Sequence, residues 1–153
     1  MAEGDLVVED FHLEVKGKLH GPGTGLDWDY EAGGWTGLGH PGTKPGDFDL
    51  DDANGTFQGP DLLTDRTLTF PVMWHGTQAE VMNELRELAE TWSVSDETVR
   101  LYARLPGWGR WYVIGKTRGI VEDLSLLSSG EGAGLLTFVA GDPTIYYVAD
   151  VVP

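Results

Sequence analysis

The sequence predicts an α+β domain, rich in β-strand, with one packed helix at about residues 77–92 and a long extended arm or loop at about residues 20–65. Three observations carry this reading. A capping box followed by apolar residues at helical spacing occurs once. Alternation of apolar and polar residues, the period of a half-buried strand, recurs on both sides of it. Before the helix lies a long run dominated by Gly, Pro and Asp, the residues that interrupt regular structure.

The first element expected is a strand from Leu6 to Val15, with Val7, Phe11, Leu13 and Val15 on one face and Asp10, His12, Glu14 and Lys16 on the other. From His20 to about Asp65 the alternation gives way to runs such as Gly21-Pro22-Gly23-Thr24-Gly25 and Gly33-Gly34-Trp35-Thr36-Gly37. A loop this long is unusual in a compact domain; it is functional, disordered when alone, or built of short strands. An extended, partly ordered arm or hairpin is expected. Alternation returns from Arg66 to Trp74, where Leu68, Phe70, Val72 and Trp74 share a side. Pro71 has no amide hydrogen to donate and so belongs at an edge or a bulge.

Thr77-Gln78-Ala79-Glu80 is the capping box. The threonine hydroxyl takes one orphan amide of the first turn, and the glutamate reaches back to another. Val81, Leu85, Leu88 and Trp92 then recur at i, i+4, i+7 and i+11, one helical stripe from which Glu84, Glu87 and Glu90 are displaced. These four form the expected helix core, in a helix running from about Gln78 to Trp92. Beyond it, Val99, Leu101, Ala103 and Leu105 alternate with Arg100, Tyr102 and Arg104. Pro106-Gly107-Trp108-Gly109 makes a turn, and Arg110 to Val121 returns as the second strand of a hairpin. Leu135 to Ala140 is apolar on both faces, as a central strand is; Asp142-Pro143 is expected to stop it, and Ile145 to Val148 to form a last short strand.

Composition narrows the function. The chain has 153 residues, the size of one domain, and no cysteine, which removes disulfides, zinc–thiolate sites and cysteine nucleophiles. No apolar run reaches the roughly 18–20 residues that span a bilayer. The acidic start, Met-Ala-Glu-Gly-Asp, lacks the basic and apolar regions of a signal peptide. A soluble, unexported chain is expected. A net charge of −15 opposes stable binding of nucleic-acid backbones and of anionic membranes.

No catalytic residues, metal ligands or cofactor are predicted. Asp47-Phe48-Asp49-Leu50-Asp51 opens like a calcium loop, but Asp52 stands where the glycine belongs and Gln58 where the bidentate glutamate belongs. The four histidines, His12, His20, His40 and His75, lack zinc spacing, and no phosphate-cradling motif is present. Ser93, Ser95 and Ser125 sit in no nucleophile-elbow context. Trp74 and Trp92 fit core faces. Trp28 and Trp35 fall in the polar arm and Trp108 at the hairpin tip, where aromatics are anchors of a protein interface or platforms for sugar.

The order of elements from Arg66 to Tyr147 resembles the N-terminal, ring-forming domain of distal tail proteins of long-tailed phages. The strand Arg66-Thr67-Leu68-Thr69-Phe70 leads into the capped helix. The hairpin Val99 to Val121 follows, and the strand Leu135-Leu136-Thr137-Phe138-Val139-Ala140 closes on Gly141-Asp142-Pro143 with Tyr146 and Tyr147 beside it. The resemblance implies a split β-barrel or sandwich with one packed helix, residues 1–153 forming a single tail-ring domain. It also implies a virion protein at the distal end of the tail. Copies would assemble into a ring, a hexamer, joining the tail tube protein to the tail-tip hub protein, with DNA passing through rather than bound. Family members often continue into a second domain; this sequence ends at Pro153, which implies a minimal ring. A tail tube or other minor tail subunit, and a carbohydrate-binding module, are the alternatives.

Charge placement suggests how such a ring closes. From His20 to Asp65 Lys44 is the only Lys or Arg among nine acids, whereas Arg100 to Arg118 carries Arg100, Arg104, Arg110, Lys116 and Arg118 and no acid. A heterologous contact between unlike patches generates rings. The expected interface lays the acidic arm, with Asp47, Asp49 and Asp51, on a neighbour's basic hairpin, with Arg100, Arg104 and Arg110. Trp28, Trp35 and Trp108 are its apolar anchors.

Overall fold

The computed structural model describes residues 3–39 and 65–148, and between them the backbone pairing of four two-residue strands. β1 (Leu13–Val15) and β2 (Lys18–His20) form a hairpin on Lys16-Gly17, whose φ angles are 51° and 78°. Two consecutive positive φ values are what a two-residue hairpin turn demands. β3 (Leu26–Trp28) follows. β4 (Thr43–Lys44) pairs with β7 (Leu62–Leu63), and β5 (Phe48–Asp49) with β6 (Thr56–Phe57). Then come β8 (Arg66–His75), α1 (Gln78–Thr91), β9 (Val99–Leu105), β10 (Gly109–Asp123) and β11 (Glu131–Val148).

Seven strands make one antiparallel sheet in the order β2-β1-β9-β10-β11-β8-β3. Its two ends meet again where the Gly21 N–H donates to the Leu26 carbonyl at 3.1 Å. The sheet therefore curls almost into a barrel, which leaves little open edge for unplanned pairing. The α+β class, β-rich with one α-helix among the described residues, is as the sequence predicts. Alternate residues fill the interior: Leu68, Phe70, Val72 and Trp74 from β8, Trp111 and Val113 from β10, Leu136, Phe138 and Ala140 from β11.

The helix forms as its cap dictates. The Thr77 hydroxyl accepts from the Glu80 N–H and the Glu80 carboxylate from the Thr77 N–H, both at 3.2 Å. α1 packs on β8, β10 and β11. Val81, Leu88 and Trp92 are fully buried, and Trp92 is the C-cap rather than a helical residue. Leu85 is only half-buried. Lys18 ties the outer side of the helix to β2 through Glu84 and Glu87, each at 3.0 Å. Leu85→Ala is accordingly expected to cost about 1–2 kcal/mol, below the about 2–5 of a fully buried leucine. Glu87→Ala is expected to stay within about 0.5 kcal/mol, because its ion pair is exposed. Thermal melts of the two variants check this; equal losses would place the docking stripe elsewhere.

Three expectations need correction. The first strand spans only Leu13–Val15, because Phe11 adopts φ 67° and ends any extended run before it. Both faces of β1 are covered, so Glu14 is buried and accepts from the N–H of Gly4 at 2.8 Å and of Leu6 at 3.2 Å. Residues 20–39 are not an arm. Leu26–Trp28 pairs with β8, and Thr36 bridges to Thr69 farther along the same strand. Pro143 does not stop the last strand. It lies where Tyr112 pairs with Tyr146 but Ile114 with Asp142, so a bulge in β11 takes up the proline without a ladder bond being required of it. Pro71 is accommodated by a related device. Its carbonyl accepts from Asp29 at 2.9 Å just past the last β3–β8 pair, so the missing donor faces the side on which β3 has ended.

Candidate assembly interface

Strand alternation aims the basic residues of β9 and β10 outward. The register sets Arg104 beside Arg110, Tyr102 beside Tyr112, and Arg100 beside Ile114. Tyr112 also pairs with Tyr146 on β11, and the three tyrosines form a ladder across the strands with ring centroids 5.1 and 5.0 Å apart. The Arg100 guanidinium lies 4.9 Å from the centre of the Tyr112 ring, and hydrogen bonding to Tyr102 favours its charged form. Asp142 accepts from the Tyr146 hydroxyl, which holds this carboxyl below the usual range.

The acidic partner of this face within the protomer is the N-terminal turn. Arg104 pairs with Asp10 at 3.2 Å and Arg110 with Asp5 at 3.6 Å, and Arg110 also donates to the Gly4 carbonyl at 3.0 Å. Gly4 lies flat on Tyr102: a Cβ there would come within 2.6 Å of the ring. The basic hairpin is thus met first by the chain's own residues 4–10, and the expectation that Arg104 and Arg110 await an acidic arm needs that correction.

The expected anchors separate. Trp28 is 4% exposed, its Nε1 donating to the Phe11 carbonyl at 2.7 Å; it is a core residue and presents no surface to a neighbour. Trp35 is half-buried, edge-on to Trp28 at 5.0 Å and to Phe70 at 5.2 Å. Trp108 sits at the hairpin tip as expected, 40% exposed, beside the more exposed Tyr147 at 5.8 Å. The side chains of Asp47, Asp49 and Asp51 lie outside the described residues.

A second surface was missed. A groove of about 610 Å³ crosses the outer side of β8 and β11, walled by the 3-10 turn at Tyr30–Ala32 on one side and by Asp123 to Leu126 on the other. Its floor includes Met73 and Ala133, and its rim carries Tyr30, Leu126, Asp29, Glu31, Asp123 and Glu131. Tyr30 and Leu126 are 60% and 54% exposed. Val121 and Leu135, cross-strand partners on the same outer side, extend the apolar strip and are also exposed. The Ser125 N–H bonds Asp123 and holds its carboxyl below the usual range, so it stays ionised. Four separate segments build this groove, and no local pattern announces it. Among the described residues no group of three His, Asp or Glu is placed to hold a metal ion, and no helix is long and apolar enough to cross a membrane.

No protein-family model matches the chain, and no curated protein matches it in sequence. Among solved structures it is similar to the Dit protein (gp 19.1) of SPP1, described as a paradigm of the hub adsorption apparatus in phages that infect Gram-positive bacteria. The superposition has a TM-score of 0.66 at 14% sequence identity and covers 92% of this chain. It covers 53% of the Dit chain, so the protein spans about half the length of that neighbour. At this identity the likeness shows the fold alone, one that this chain shares with SPP1 Dit.

Proposed function

We propose that the protein is a structural subunit of a phage tail, forming a ring at the distal end that joins the tail tube to the tip and adsorption apparatus. The observation that carries this is the fold shared with SPP1 Dit over nearly the whole chain. The supporting chemistry is a barrel whose outer surface offers an exposed apolar strip and a basic, tyrosine-lined face, features of a subunit that meets other proteins. Its partners are further copies of itself, the tail tube protein and the tail-tip hub protein. A surplus of acids suits a ring through which DNA passes without sticking.

Negative-stain imaging and mass photometry of the purified protein test this reading. Closed rings of one size, six subunits, are the expected result. Open stacks or tubes would instead favour a tail tube subunit. A monomer at every concentration, retarded in a polysaccharide affinity gel, would favour a carbohydrate-binding module and remove the ring.

A further inference from the structure

Resting on that ring reading, we infer that the acidic groove on β8 and β11 receives the outer face of β9 and β10 of a second copy, so that the ring closes through two unlike patches of one barrel. The groove combines what an interface core and rim need: exposed Tyr30 and Leu126 over a Met73 floor, with carboxylates around them. Its occupant must be apolar in part and basic. In a chain with ten Lys and Arg, five lie between Arg100 and Arg118, so a second copy has one strongly basic face to offer. Within that face the N-terminal turn pairs with Arg104 and Arg110 and sets the Glu3 charge near Arg100, which stays exposed beside Tyr112 and donates to the Tyr102 hydroxyl. Lys116 and Arg118 line a separate outer hollow next to Ile114, which Asp65 and Asp142 also line; Arg118 donates to the Ser95 carbonyl at 3.3 Å.

Geometry favours a ring over a two-fold dimer. β10 runs through both patches: its residues 109–115 pair with β9 in the basic face, and its far end carries Val121 and Asp123 to the strip and the groove. The two patches therefore lie toward opposite ends of this long strand. Two unlike, complementary patches set apart along one strand give a head-to-tail contact, which propagates from copy to copy and closes when the rotation allows. Like patches cannot meet, because groove against groove and hairpin against hairpin each set equal charges together; this selects the register as well as the partner.

The test is a charge exchange read by mass photometry, with circular dichroism to verify folding. Asp123→Lys with Glu131→Lys reverses the groove; Arg100→Glu with Lys116→Glu and Arg118→Glu reverses the hairpin face. Each variant alone is expected to be folded and to lose the oligomer. Mixed one to one, each acidic patch finds a basic one, and an oligomer with an even number of subunits is expected to return. Tyr30→Ala with Leu126→Ser, which changes no charge, is expected to weaken assembly without restoring on mixing. Either charge variant assembling like the wild type, or a mixture that stays monomeric, overturns the groove contact while leaving a wild-type ring in place. A monomeric wild type overturns this contact and the ring reading together.

Discussion

Trp92→Ala is expected to lower the free energy of unfolding by about 3–5 kcal/mol, the cost of truncating a fully buried tryptophan. A domain of this size holds about 5–15 kcal/mol in total, so this one change removes a large share. Trp92 is the C-cap of α1 and is wholly inaccessible. Its ring meets Phe70 at 5.9 Å and His20 at 5.8 Å, so it joins helix, β8 and β2 in one contact. Its Nε1 donates to His20 Nε2 at 3.1 Å, and its carbonyl accepts from Gly119 at 2.6 Å, pinning β10 beneath the helix end. Trp92→Phe keeps most of the apolar volume and loses only the indole donor, for about 1–3 kcal/mol. Urea denaturation followed by circular dichroism separates the two. If the alanine variant loses no more than the phenylalanine variant, the cavity is not the source of the effect and this side chain is not the keystone described.

The helix and the β9–β10 hairpin were legible because their signals are local. A capping box needs four residues, a helical stripe fifteen or so, and a hairpin two alternating runs about one turn. What escaped is set by contacts between distant residues. Nothing in the sequence around Phe11 marks it for the left-handed region, yet its φ of 67° ends the first strand. The glycine-rich stretch from residue 20 to 39 looked like a loose arm, but some of its glycines are places of close approach. A Cβ on Gly21 would come within 2.4 Å of the Phe11 carbonyl, and one on Gly37 within 2.0 Å of the Thr67 carbonyl. Both also take positive φ, 114° and 96°, so only glycine fits easily.

Of the candidate site, the separation of acid and base along the chain was real, and strand alternation aims the basic hairpin outward. Charge counts could not say which acids it meets first. Asp5 and Asp10 reach Arg110 and Arg104 because the chain doubles back before β1, a fact of folding and not of composition. Trp28 was misplaced for the same reason. A tryptophan between two aspartates looks exposed until β3 is laid beside β8, where the alternation sends Trp28 inward and Asp27 outward.

Acid is expected to destabilise the fold through one buried histidine. His20 is fully buried, stacked near Trp28, with Trp92 edge-on to it. An indole N–H can only donate, so His20 Nε2 accepts, and the proton resides on Nδ1, which faces the carbonyls of Lys18 at 3.1 Å and Leu13 at 3.4 Å. A second proton would set an N–H against the Trp92 N–H in the interior. Burial, helped by the Lys18 charge, lowers the His20 pKa from 6.5 to about 4. Between those values the unfolded chain binds a proton that the folded chain refuses, so stability rises with pH across this window. The contribution is fully present above about pH 6.5, is lost progressively as the pH falls to about 4, and changes no further below that, for a total of about 3 kcal/mol. The 25 Asp and Glu residues titrate too, in wild type and variant alike. The comparison that isolates His20 is therefore with His20→Leu. At pH 7 the wild type is expected to be the more stable, because the variant leaves the Trp92 N–H buried without an acceptor. From pH 7 to pH 4 that difference should shrink by about 3 kcal/mol in paired denaturation curves. A difference constant over this range would mean that His20 takes its proton as readily inside the barrel as outside it.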